Sequence, residues 1–66
     1  MEVRFVMRMI GTAAGSITPE DFAEYLEYNF FSKGFKLWKQ YETPVYGGQD
    51  GKEVVAVKYW MTLVKE

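Results

Sequence analysis

The residues that could do chemistry here are few, and the missing types decide most of the question. The chain holds neither His nor Cys. Without His, no Ser or Thr has the usual base to activate it, and the commonest neutral metal ligand is gone. Without Cys, disulfides and thiolate metal sites are excluded. Lys39 is the one candidate for an amine with a shifted pKa, and it reads more simply as an edge-strand lysine whose stem packs while its head reaches water. The glycine-bearing run Gly11-Thr12-Ala13-Ala14-Gly15-Ser16 leads from a strand toward a helix. It lacks the lysine and the glycine spacing of a phosphate-cradling loop, so it is expected to be a plain connection. Glu20, Glu24 and Glu27 fall at i, i+4 and i+7 and share one side of a helix. They could form an acidic contact stripe toward a basic partner, although such a run is most often a solvated face. Helix-borne carboxylates alone do not close a metal site, so no metal and no cofactor are expected.

This inventory points away from catalysis. An enzyme pocket takes roughly 300 Å³ or more, and 66 residues leave little room for one. We expect no enzymatic activity and no small-molecule substrate.

The elements that must position these residues are read from periodicity. Residues 3–10 are rich in β-formers and form a first strand. Thr18 is a good N-cap and Pro19 suits the first helical position. Glu20 and Asp21 place negative charge where the helix dipole favours it. Ile17 and Phe22 are spaced as a hydrophobic staple. The helix then carries Phe22, Tyr25, Leu26, Asn29 and Phe30 on one stripe, ending at Lys33 with Gly34 as a left-handed stop. Residues 35–46 are a second strand, residues 47–52 a glycine-rich hairpin loop, and residues 53–65 a third strand.

The expected fold is therefore a single α+β domain over residues 1–66, of β-α-β-β order. The third strand is apolar on both faces and belongs in the centre. Pro44 and an inward-pointing Lys39 mark the second strand as an edge. Together these predict a three-stranded antiparallel sheet of order 1-3-2 with the helix on one face. The β-α-β-β order looks like half of a ferredoxin-like unit, a likeness of fold that carries no function.

One helix leaves one sheet face open. Alternation assigns Val3, Phe5, Met7 and Met9 to the helix side, with Leu37, Tyr41, Val57, Tyr59, Met61 and Leu63. The open face then presents Trp38 and Trp60 among Arg4, Arg8, Lys36 and Lys58. The net charge of −1 would conceal an acidic helix and a basic, aromatic sheet face. Three uses follow for these residues. The face could pair with a second copy or another protein through its tryptophans. It could bind nucleic acid by stacking and phosphate contacts. The acidic helix, in turn, could make the chain an inhibitor of a basic partner. The assignment depends on strand parity, because one bulge exchanges faces. No stretch is long and apolar enough to span a bilayer and no signal peptide opens the chain, so a cytoplasmic protein without membrane contact is expected.

Overall fold

The computed structural model describes all 66 residues, Met1–Glu66. Strand β1 (Glu2–Gly11) is followed by helix α1 (Pro19–Asn29), a 3-10 turn (Phe31–Lys33), and strands β2 (Lys36–Gly47) and β3 (Glu53–Lys65). The sheet is antiparallel in the order β1-β3-β2. The most apolar strand is central, as its composition predicts, and Pro44 lies on an edge strand.

The helix begins as its cap dictates. Thr18 holds extended backbone angles, and its side chain accepts from the Asp21 amide at 3.1 Å. Phe22 and Leu26 are buried against the sheet. The far end differs from expectation, because α1 stops at Asn29 rather than running on to Lys33. A single 3-10 turn follows, closed by Gly34 at φ +93°. This tighter turn brings the Phe35 amide to 3.0 Å from the Phe30 carbonyl. Tyr25, Phe30 and Phe35 then meet edge to face, with ring centroids 5.8 and 5.7 Å apart.

Residues 11–16 are a built connection rather than a slack one. The amides of Thr12 and Ala13 both donate to the Val55 carbonyl, at 2.7 and 3.2 Å. Ile17 then returns to β1, its amide donating to the Met9 carbonyl at 2.8 Å. Gly11 makes this possible. A Cβ there would stand 2.4 Å from both the Val55 oxygen and the Ala56 Cα.

The core is small. Val6, Phe22, Leu26, Phe35, Met61 and Leu63 form it, and only seven of the 66 residues are buried. The chain exposes 4874 Å², against about 4,300 Å² for a compact monomer of its mass. Its radius of gyration is 13.7 Å, against about 11 Å for a compact domain of this length. The domain is thus a long sheet with a short helix on part of one face.

Two substitutions test these local arguments. Gly11→Ala should lower the unfolding free energy by about 2 kcal/mol or more in urea titration, because backbone must move to admit the methyl group. Thr18→Ala should cost about 1 kcal/mol in the same assay.

Candidate functional site

Register decides what the open face carries. Val6 pairs with Met61 and Arg4 with Leu63. Met61 and Leu63 belong to the core, so Arg4, Val6, Arg8 and Ile10 face the helix, and Val3, Phe5, Met7 and Met9 face away. This reverses the expected parity of the first strand. Arg4 and Arg8 are not on the open face. The Arg8 guanidinium lies 4.2 Å from the Tyr25 ring centroid and that of Arg4 lies 5.5 Å from the Phe35 ring. Their stems cover the rim of the core and their heads remain at the strand edge, an arrangement open to arginine beside aromatic rings. Both sides of β1 were apolar enough to be buried. Val6 is buried in the core and Ile10 packs against it, while the two arginines lie beside rings at its rim.

The second correction lies in β2. The pairing steps from Leu37↔Leu63 to Lys39↔Thr62, leaving Trp38 as an extra residue. Beyond this bulge the faces exchange. Lys39, Tyr41, Thr43 and Val45 turn to the open side, while Gln40 and Glu42 turn to the helix side and bond one another at 3.3 Å. Lys39 therefore does not point inward. The edge position of β2 stands on Pro44 and the strand order, without that premise.

Four expected residues do lie on the open side. Lys36 pairs with Val64, and Lys58 and Trp60 share its face on β3. Trp38 lines a shallow recess with Met1 and Val64. Residues missed by alternation join them, and the register sets them in rows across the three strands. Phe5, Thr62 and Lys39 form one row, Met7, Trp60 and Tyr41 the next, and Met9, Lys58 and Thr43 a third. The rings of Tyr41 and Trp60 are nearly parallel, 8° apart with centroids 5.9 Å apart. The Trp60 indole donates to the Thr43 hydroxyl at 2.8 Å, which fixes the ring toward β2. A shallow groove of about 420 Å³ runs over Phe5, Met7, Tyr41, Trp60 and Thr62. No carboxylate or amine lines it.

The exposures decide which rings are free. Phe5 is 81% exposed, Trp38 62% and Tyr41 60%, a loss of favourable burial that a finished core would not leave. The lysine ammonium groups lie near rings too, Lys39 4.6 Å from Trp38 and Lys58 6.0 Å from Trp60. Glu2 and Glu42 fall on the helix side by register. The open face is accordingly apolar and aromatic with three lysines, more apolar and less basic than alternation implied.

On the helix, Glu20, Glu24 and Glu27 are all exposed, and no group of three acidic residues is placed to hold a metal ion. No helix is long and apolar enough to cross a membrane.

If Arg8 is part of the folded framework, Arg8→Ala should lower stability by about 1 kcal/mol in thermal or urea unfolding, through the lost contact with Tyr25. An unchanged midpoint would return Arg8 to the list of free surface cations. Comparison with protein families, characterised proteins and solved structures finds no match, so the use of this face has to be argued from its own chemistry.

Proposed function

We propose that this chain is a non-enzymatic interaction module that docks on protein through the open face of its sheet. The observation that carries this reading is the run of apolar side chains across all three strands, with exposed Phe5, Met7 and Tyr41 around a half-buried Trp60 at its centre. Contiguous patches of this kind mark contact surfaces on otherwise polar domains. Aromatic side chains and Met are over-represented in interfaces, and Trp among the residues that dominate their energetics. Trp60 is held in place by Thr43 before any partner arrives, which lowers the ordering cost of binding. Lys36 and Lys39 stand on the edge strand, where they would form a charged rim.

A second reading has its own support. Lys36, Lys39 and Lys58 stand among four rings, and Glu2 and Glu42 face the other way. Single-stranded nucleic acid is bound by that combination of stacking rings and cations. It predicts that a short single-stranded oligonucleotide quenches tryptophan fluorescence at low salt, with affinity falling steeply as salt rises. Absence of quenching at low salt dismisses it.

The primary reading is tested by oxidative footprinting, since the face carries its own reporters. Met7, Met9, Trp38 and Trp60 lie on it, whereas Met61 is buried on the helix side. Hydroxyl-radical labelling should be compared between dilute purified protein and the protein in extract of cells that express it. The open-face reporters should be protected several-fold in extract, with Met61 unchanged in both. Equal labelling in the two settings would count decisively against docking on any protein other than a second copy of this chain.

A further inference from the structure

This inference rests on the reading of the open face as a protein-docking surface and names the protein. We propose that the occupant is a second copy of this chain, stacked sheet to sheet about a two-fold axis parallel to the strands.

Area is the first argument. Three strands about 4.8 Å apart and ten paired residues long present a face of about 480 Å² in projection. The chain's 4874 Å² exceeds the compact-monomer value by about the same amount. One stacked face therefore removes roughly the excess, and the same short core is doubled in the pair. Two such faces bury about 1,000 Å², the size at which specific interfaces begin.

The competing route, edge-to-edge extension of the sheet, is obstructed on both sides. Along β1 the Val3 carbonyl accepts from Arg4 Nη1 at 3.0 Å and the Met7 carbonyl from Arg8 Nη1 at 2.7 Å. The Met9 carbonyl is taken by the Ile17 amide. Three acceptors that a new strand would need are thus occupied by the chain itself. The other edge strand carries Pro44, which has no N–H to offer. Two arginines that alternation placed in the binding face instead close an edge.

Charge bears on which strand that axis lies over. The lysines of the face stand on β2 and β3, and β1 contributes none. With the axis over β2, Lys36 and Lys39 would each meet their own equivalents, whereas over β3 only Lys58 does. A two-fold axis parallel to the strands lays β2 over β1 of the second copy and keeps the rows aligned. Lys39 then meets Phe5 of the second copy, Tyr41 meets Met7, and Trp60 and Lys58 each meet their own equivalents. The acidic helices face outward on both sides, away from each other.

Sedimentation velocity on the 66-residue chain decides the matter. A reversible monomer–dimer equilibrium should appear between about 1 and 300 µM, with a midpoint within about 1–100 µM, the weak end expected for a small interface. Phe5→Ala should weaken it about tenfold or more and Met7→Asp should abolish it, both with an unchanged far-ultraviolet circular dichroism spectrum. Because the chain has no Cys and Val3 and Lys36 share the row of Val64, V3C and K36C variants mixed under mild oxidation should form a mixed disulfide faster than K36C forms one with itself. A strict monomer at about 300 µM overturns the inference; protection of the face in extract would then stand, with a different protein as its cause. A dimer indifferent to both substitutions overturns it equally, and assigns association to another surface. A disulfide preference for K36C with itself overturns the orientation.

Discussion

An eleven-residue helix is about 16 Å long, and the strands beneath it run to thirteen residues, about 43 Å. That mismatch governs the rest of the molecule. The helix covers part of β1 and β3 on one face and nothing on the other. Seven residues are buried as a result, in a chain whose apolar and aromatic content would suit a larger core. Some of that content is spent locally, in the ring cluster of Tyr25, Phe30 and Phe35 that joins the end of the helix to the start of β2. The remainder lies open on the sheet.

The fate of the two arginines shows how the small core is completed without more apolar side chains. Each carries a stem across the rim of the core, places a guanidinium near an aromatic ring, and donates to the carbonyl of the residue before it. A single residue type thus meets two needs of an edge strand that also faces a helix: cover for rings and occupation of unpaired acceptors. The consequence reaches the other face. With Arg4 and Arg8 turned inward, Phe5 and Met7 are turned outward, and the open surface becomes apolar instead of basic.

Alternation could not have found this arrangement. It ranks the two sides of a strand by apolarity, and on the first strand the more apolar side is the one left open. The rule that apolar side chains face the core assumes that the core in question belongs to the monomer. In β2 the obstacle was different. Nothing in Leu37-Trp38-Lys39 announces a bulge, yet one extra residue there exchanges the faces of Lys39, Tyr41 and Thr43 with those of Gln40 and Glu42. The Gln40–Glu42 pair, polar at i and i+2, even argued for the opposite facing, since alternation sends polar side chains away from the helix.

Local chemistry in the sequence determined the cap at Thr18, the left-handed stop at Gly34, the three strands and the hairpin between the last two. It also determined the strand order, since β3 is apolar on both faces and Pro44 suits an edge. These depend on residues near in sequence, or on composition averaged along a strand, so they are legible without coordinates. Which way each strand faces was decided only by the tertiary structure. That choice hangs on pairing with Met61 and Leu63, on the close approach at Gly11, and on two register shifts, at Trp38 and between Val45 and Tyr46. Side chains alternate with period two, so a shift of a single position reverses a whole face at almost no cost in local propensity.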